Sequence, residues 1–230
     1  MSIFDVAMVG RLGSEALAAT GMGGMLVWAP MSMALGIRTA VQTVSSRRLG
    51  QKKEEDSSKS FHNGLIMATI FAFPVTLIGW AYADQIVPLF LEDQTTIFLA
   101  VEYTSIAFIS LLFSVYSFVF VGFYTGVEKT KIHMTVTIIS NIINLYLNAA
   151  LIYGSEGIEL FFREVLPSLS FLKAAWGWTY FPAMGVKGAA YATLVASAWM
   201  AAHYGFYLFS KEIRTKFKVF SFSFNKKMMR

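Results

Sequence analysis

The chain has 230 residues, of which 56% are hydrophobic, 16% are aromatic and only 14% carry a charge. Soluble globular domains carry about 25% charged residues, so this composition argues against a soluble enzyme and predicts a membrane protein. The net charge of +5 sits in short segments between apolar stretches and gives no reason to expect a nucleic-acid partner, and the absence of cysteine excludes disulfides and thiolate metal sites.

The first segment, MSIFDVAMVG, predicts a helix that is too short to cross a bilayer. Its roughly nine helical residues, at 1.5 Å per residue, reach about 15 Å, against about 30 Å of hydrocarbon. We therefore expect a partial span over residues 1–9 whose first half is missing. No cleavable signal peptide is expected, because no basic region precedes the apolar residues. Asp5 lies in this segment.

Five uncharged stretches follow, and each meets the roughly 20 residues that a spanning helix needs. They lie at residues 16–37, 60–83, 103–127, 134–155 and 188–210. With flanking residues, we predict spans over 16–45, 60–83, 100–124, 134–154 and 186–209. Together with the truncated first helix they make six helices, so the predicted fold is an all-α polytopic membrane protein.

Lys and Arg are concentrated after the second, fourth and sixth predicted spans. The basic segments are residues 47–59, residues 129–131 and the tail 210–230, whereas the other connections, including the long one at 155–185, are mainly acidic. By the positive-inside rule the basic segments are cytoplasmic. We therefore expect a multi-pass protein of the inner (plasma) membrane with a cytoplasmic C-terminus and an external 155–185 connection.

The fifth predicted span carries a polar stripe formed by Thr137, Asn141, Asn144 and Asn148, at spacings of 4, 3 and 4 residues. At 100° per residue, all four lie within about 60° on one helix face. Amide side chains that face lipid lack partners, so this stripe must face protein or a water-filled cavity. Two interpretations stay open: hydrogen bonds that hold helices together, or an ion or substrate site.

Two interpretations of Asp5 stay open: a carboxylate that completes an ion site with this stripe, or a solvated residue at a frayed N-terminus. Burial penalises a carboxylate as an anion, so such a group can hold a proton and Na⁺ in alternation. Amide and hydroxyl oxygens suit Na⁺, which makes Asp5 the candidate Na⁺ ligand, and no other cofactor is expected. A membrane-embedded enzyme is not expected, because no Asp, Glu or His cluster with catalytic spacing lies near one membrane face.

Five segments resemble the N-terminal lobe of the multidrug and toxic compound extrusion (MATE) transporters. They are FDVAMVGRLGSEALAATGMG, GIRTAVQTVSSRRLGQ, GVEKTKIHM, NIINLYLNAALIYG and GVKGAAYATLVAS. The resemblance covers essentially the whole chain, although the 155–185 connection is longer than usual. It implies one six-helix lobe of a twelve-helix, two-lobe transporter. The chain would then be a fragment, or else a half-transporter that dimerises.

The resemblance also implies an antiporter that exports small organic cations in exchange for Na⁺ or H⁺. Its cation site maps onto Asp5, Asn144, Asn148 and Thr193, with Thr137 and Asn141 of the polar stripe as candidate cavity residues. Some family members have a second carboxylate where this chain has Asn148, which leaves the choice of coupling ion open. The implied partners are the lipid bilayer, the transported cations, and a C-terminal lobe or a second copy.

A lipid-linked oligosaccharide flippase of the same superfamily is the main alternative. Such proteins commonly line their cavity with several basic residues that meet pyrophosphate. Here Arg38 is the only basic residue expected in the interior. This difference favours export of cations.

Overall fold

A computed structural model describes residues 3–164 and 167–221 of the chain, and within these ranges every regular element is a helix. The predicted all-α fold is therefore confirmed. The elements, in chain order, are α1 (Ile3–Gly10), α2 (Ser14–Gly50), α3 (Glu54–Ala81), α4 (Ala83–Ile86), a 3₁₀ turn (Val87–Leu89), α5 (Gln94–Gly126), α6 (Thr130–Asn148), a π segment (Ala149–Tyr153), α7 (Gly154–Glu164), a 3₁₀ helix (Pro167–Trp176), α8 (Gly185–Tyr207) and α9 (Lys211–Phe217).

Four helical stretches of the described ranges are long and apolar enough to cross a membrane. They are Ser14–Gly50, Glu54–Ala81, Gln94–Gly126 and Thr130–Leu160. Helix α8 has 23 residues, and α1 has only eight. Helices α1, α2, α3, α5, α6 and α8 lie at the six predicted spans, whose membrane boundaries stay predictions.

Local charge and capping explain where several helices begin and end. Helix α3 has acidic residues throughout its first turn, and α2 has Arg47 and Arg48 in its last turn, both of which complement the helix dipole. Before α5, the Asp93 carboxylate accepts hydrogen bonds from the Thr96 backbone N–H (2.7 Å) and hydroxyl (2.8 Å). These bonds lower the pKa of Asp93, the backbone bond contributing most. Polar residues at the helix ends therefore allow the helices to continue past the apolar stretches.

The chain divides into two compact units. Unit 1 comprises Met1–Leu26, Gly79–Ala107 and Asn141–Ala196, and unit 2 comprises Val27–Ile78, Phe108–Ser140 and Ser197–Arg230. In these ranges, unit 1 has nine acidic and four basic residues, a net charge of −5, and unit 2 has five acidic and 15 basic residues, a net charge of +10. The sequence thus segregates charge between the two units.

Unit 1 depends on two glycines that allow very close packing. A Cβ at Gly23 of α2 would lie 2.6 Å from the Tyr103 ring of α5. A Cβ at Gly188 of α8 would collide with the Leu151 carbonyl of the π segment. Around the first contact, Ala19, Val87 and Ala100 are completely buried. Small residues at helix contacts are the usual means by which membrane helices approach one another.

Unit 2 follows the same principle and adds an aromatic core. A Cβ at Gly122 of α5 would lie 2.5 Å from the Arg38 carbonyl of α2, and one at Gly126 would lie 2.7 Å from the Gln42 carbonyl. Helix α5 therefore packs directly on the α2 backbone. The large side chains that fill this unit are Phe61, Phe123, Tyr124, Tyr204 and Phe217, each with at most 2% exposure.

Helix α9 accounts for part of the predicted basic tail, whose residues after Ser221 lie outside the described ranges. Its Ile213 and Phe217 are buried, and Phe217 packs edge-on against Phe123. Charged residues surround this apolar contact: Lys216 pairs with Glu54 (3.1 Å), and Lys129 donates to Glu212. The hydrogen bond from Lys129 lowers the pKa of Glu212. The start of the tail is thus a docked helix of unit 2.

Candidate cation site

Three of the residues predicted to form a cation site come together in unit 1. Asp5 of α1 is 6% exposed, and Asn148, the last residue of α6, is completely buried. The Nδ2 group of Asn148 donates to the Asp5 carboxylate and to Oδ1 of Asn144, 3.2 Å away. The four-residue spacing on α6 makes the second bond, because residues i and i+4 lie one above the other. The amide of Asn148 therefore joins the two helices.

The remaining oxygen of Asn148 makes the site chemically unusual. Its Oδ1 atom is buried and has no hydrogen-bond partner. Nearly all buried polar atoms are hydrogen-bonded, and an exception calls for an explanation such as an ion or a water molecule. The amide oxygen and the neighbouring carboxylate oxygens are hard donors, and such donors bind alkali and alkaline-earth cations. The residues present therefore fit a small cation.

The backbone beside Asn148 departs from the predicted continuous helix. Residues Ala149–Tyr153 form a π segment that ends at Gly154, which has a positive φ of 67°. π turns inside helices are rare and occur often at functional sites. Hydrophobic periodicity cannot reveal such a turn, because the apolar residues AALIY fit an α-helix equally well.

Two hydrogen bonds tie this π segment to its neighbours. The Tyr153 hydroxyl donates to the Met8 carbonyl of α1 at 2.7 Å. The Met184 N–H, just before α8, donates to the Leu151 carbonyl at 2.8 Å. The segment that follows Asn148 is therefore fixed to the helix that carries Asp5 and to the start of α8. Tyr153 was not among the predicted site residues.

Tyr103 and Thr104 of α5 are two buried residues of unit 1 that the sequence did not single out. The Tyr103 side chain is 5% exposed and lies against Gly23 of α2. The buried hydroxyl of the next residue, Thr104, has no hydrogen-bond partner. Both residues lie near the start of the uncharged stretch in α5, where no periodic polar pattern marks them.

The other predicted residues lie elsewhere along α6 and α8. Thr193 is half-buried on α8 within unit 1, and Asn141 is exposed. Thr137 belongs to unit 2, where its hydroxyl lies 3.2 Å from Nδ1 of His133. The predicted stripe therefore divides, and Asn144 and Asn148 are its members that contact one another at Asp5.

The described residues contain no group of three or more His, Asp or Glu side chains that could hold a metal ion. A cation at Asp5 would therefore depend on one carboxylate and neutral oxygens. Such a site carries a single negative charge, which suits a monovalent ion or a proton better than a divalent metal.

Comparison with protein families gives a match to the MatE model over residues 1–150, which is more than half of the chain. The chain belongs to the MatE family. The resemblance seen in the sequence is thereby confirmed.

Curated relatives support this membership. The MatE chain is 26% identical, over 222 residues, to the "Probable multidrug resistance protein NorM" of Listeria monocytogenes, covering 96% of this chain and 43% of the relative. It is 30% identical over 158 residues to the protein of the same description from Bacillus cereus, covering 68% of this chain and 35% of the relative. The chain spans less than half the length of these relatives.

A solved MATE structure shows the same fold. The MatE chain matches a MATE protein in complex with MaL6 with a TM-score of 0.79 and 21% identity, over 99% of this chain and 45% of that one. The fold is thus the six-helix lobe of a two-lobe, all-α transporter fold. The MatE chain is a multi-pass membrane protein of a transporter family, not an enzyme.

Proposed function

We propose that this chain is one lobe of a cation-coupled exporter of organic cations, with Asp5, Asn144 and Asn148 as its coupling site. The observation that carries this proposal is the buried contact of Asn148 with Asp5, next to the unpartnered Asn148 oxygen. A buried carboxylate joined to an amide that still has a free acceptor is suited to exchanging one small cation for another.

In the mechanism that we propose, the Asp5 carboxylate holds either a proton or Na⁺. While the carboxylate is charged, the Asn148 Nδ2 group stabilises it by a hydrogen bond. When Na⁺ enters, Asp5 and the unpartnered oxygen of Asn148 can turn toward it, and the Asn144 oxygen can exchange its hydrogen bond from Asn148 for the ion. The bond between Asn148 and Asp5 then weakens. The α1 and α6 contact then differs between the two states, and such a difference is what allows an ion gradient to drive a conformational change.

The site rests on elements that could transmit this difference. Tyr153 ties the π segment to α1, and Met184 ties it to the start of α8. Half-buried Thr193 lies further along α8, and we retain it as a proposed member of the site. A change at Asp5 would therefore reach three helices of unit 1 through contacts already present.

The proposed orientation in the membrane follows from charge. We propose that the basic segments, which belong to unit 2, face the cytoplasm, in accordance with the positive-inside rule. The C-terminus would then be cytoplasmic and the membrane the inner (plasma) membrane. The relatives are described as multidrug resistance proteins and are more than twice as long as this chain. Their description supports drugs as cargo, which we propose to be organic cations, and their length supports a second lobe, or a second copy, as partner.

The coupling site can be tested on the purified chain in a non-ionic detergent. Bound ligand stabilises a folded protein in proportion to the logarithm of its concentration. We expect NaCl to raise the melting temperature of the wild-type chain more than KCl at equal ionic strength, and Asp5→Asn to abolish the difference. Glu15→Gln, which alters an exposed carboxylate at the start of α2, is the matched control and should keep it.

Two results discriminate between the ions. A melting temperature that depends on pH but not on Na⁺, with the dependence lost in Asp5→Asn, would identify H⁺ as the coupling ion. Identical behaviour of wild type and Asp5→Asn toward both ions would overturn the proposed site. Export itself is tested by efflux of a cationic dye from cells that express the chain fused to the second lobe of a relative, where Asp5→Asn should abolish efflux.

A further inference from the structure

The connection between the π segment and α8 forms an open surface cavity that the proposed transport mechanism does not use. Its volume is about 600 Å³, which is within the range of roughly 300–1,000 Å³ that small-molecule sites occupy. One wall is α7 and the other is the 3₁₀ helix together with the loop that follows it. The lining includes the polar and aromatic side chains of Ser155, Glu159, Phe171, Lys173, Trp176 and Tyr180.

The walls of this cavity are held in place by hydrogen bonds and ring stacking. Trp176 stacks on Tyr146 of α6, with ring centroids 5.0 Å apart and planes 9° from parallel. Its indole N–H donates to the Tyr146 carbonyl at 3.1 Å. At the other wall, the Phe181 N–H donates to Ser155 Oγ (2.9 Å), and the Ser155 N–H donates to the Phe181 carbonyl (3.0 Å). A ligand would therefore meet a preformed site.

One charge of each sign lines the cavity. Glu159 is on α7 and Lys173 is on the 3₁₀ helix, and their charged atoms are 3.4 Å apart. The two side chains are 69% and 52% exposed, so water competes for both and the pair is weak. A ligand with a single charge would leave one of these groups without its partner. A zwitterion can satisfy both, its cation at Glu159 and its anion at Lys173.

Aromatic side chains identify the cationic half of such a ligand. Trp176, Tyr180 and Phe171 line the same cavity as Glu159. Ring faces attract ammonium groups, most strongly quaternary ones, and a nearby carboxylate reinforces that attraction. Lys173 is the donor left for an anionic group, and a phosphate oxygen is a strong acceptor for it.

Exposed aromatic side chains indicate where the ligand comes from. Phe171, Trp178 and Tyr180 are 68%, 72% and 70% exposed. In a multi-pass membrane protein, Trp and Tyr concentrate where the chain meets lipid headgroups. We propose that the cavity binds the zwitterionic phosphoammonium headgroup of a membrane phospholipid, its ammonium against Glu159 and the aromatic wall and its phosphate at Lys173.

The proposal can be tested by titrating the purified chain in maltoside micelles with three compounds and following tryptophan emission. The compounds are dihexanoylphosphatidylcholine, dihexanoylphosphatidylglycerol and glycerophosphocholine. We expect the phosphatidylcholine to bind about three- to fivefold more tightly than the anionic phosphatidylglycerol, the factor that one weak ion pair supplies. Equal affinity for the two lipids would overturn the proposal.

Charge variants sharpen this test. Glu159→Gln should shift the preference toward phosphatidylglycerol, because Lys173 is left unpaired, and Lys173→Gln should weaken binding of both lipids. Glu156→Gln, on an exposed carboxylate of the same helix outside the cavity lining, should change neither. All three side chains are exposed, so the fold is retained. An unchanged preference in Glu159→Gln would contradict the assignment.

Glycerophosphocholine distinguishes the source of the ligand. It has the same zwitterionic group but no acyl chains, so weak binding supports a lipid in the bilayer. Binding as tight as that of the lipid would instead overturn the bilayer assignment in favour of a soluble zwitterion. Asp5 does not line the cavity, so these results do not depend on the outcome of the cation-site experiments.

Discussion

Asn148 determines what the candidate cation site can do. A carboxamide both donates and accepts, so one side chain can stabilise a charged Asp5 through Nδ2 and still present an oxygen to a cation. A second carboxylate in this position, as in some MATE transporters, would instead add charge without a donor. The amide therefore gives this chain a site with one negative charge.

We expect Asn148→Leu to destabilise the chain by about 1–3 kcal/mol, because buried Asp5 loses the hydrogen bond that Asn148 donates. It should also remove any stabilisation by Na⁺. The measurement is denaturant unfolding in detergent with and without NaCl. Asn141→Leu is the matched control: Asn141 is an exposed residue of the same helix, and its replacement should be neutral or stabilising. Equal destabilisation by both changes would show that Asn148 has only a general structural role.

The site was only partly predictable from sequence. Residues Asn144 and Asn148 could be predicted to share a face, because a four-residue spacing is a property of the α-helix itself. Their contact with Asp5 followed from resemblance rather than from spacing, since 143 residues separate Asp5 and Asn148. Thr137 shows the limit most clearly: its helical spacing places it on the predicted stripe, yet it belongs to unit 2 whereas Asp5 belongs to unit 1.

At the scale of elements, helix α8 and the π segment form the closest contact beside the site. Gly188 faces the Leu151 carbonyl so closely that no side chain fits between them. Gly188, Ala192 and Ala196 recur at helical spacing in GVKGAAYATLVAS, so a small-residue face is visible in the sequence, but its packing partner is not. A periodic pattern specifies which face packs and leaves open what it packs against.

Gly188→Ala should therefore destabilise the chain by about 1–3 kcal/mol, as overpacking usually does. A displaced α8 should also disturb Leu151 and weaken any response to Na⁺. Gly205→Ala provides the control on the same helix, because a Cβ there meets nothing within 4 Å and alanine has the higher helix propensity. Thermal unfolding of the two variants should move in opposite directions. A Gly188→Ala chain as stable as wild type would show that the α8 contact relaxes without cost.

At the scale of the whole molecule, the basic and acidic segments of the sequence coincide with the division into two units. The basic segments that suggested a cytoplasmic face all fall within unit 2, whose net charge is +10, and the acidic connections fall within unit 1. The charge of a segment can be counted from its sequence, because the count does not depend on tertiary contacts. Packing details such as the docking of α9 do require those contacts, and the sequence offered no sign of them.

The absence of cysteine makes the proposed orientation simple to test, since a single introduced thiol is the only one present. Gln85→Cys, in α4, should react with a membrane-impermeant maleimide added to intact cells or spheroplasts. Gln51→Cys, after α2, should react only after the membrane is permeabilised. Both residues are exposed glutamines, so they form a matched pair. The reverse labelling pattern would invert the proposed topology.

The π segment has a further consequence for how this protein can vary in evolution. A π turn holds one residue more than the α turn it replaces, so it absorbs an insertion locally instead of rotating everything beyond it. The helical register up to Asn148 is therefore independent of the helical register from Gly154 onward. The long connection can gain, lose or exchange residues while Asn144 and Asn148 continue to point at Asp5. The proposed cation site and the cavity beside α7 can thus change independently within one chain.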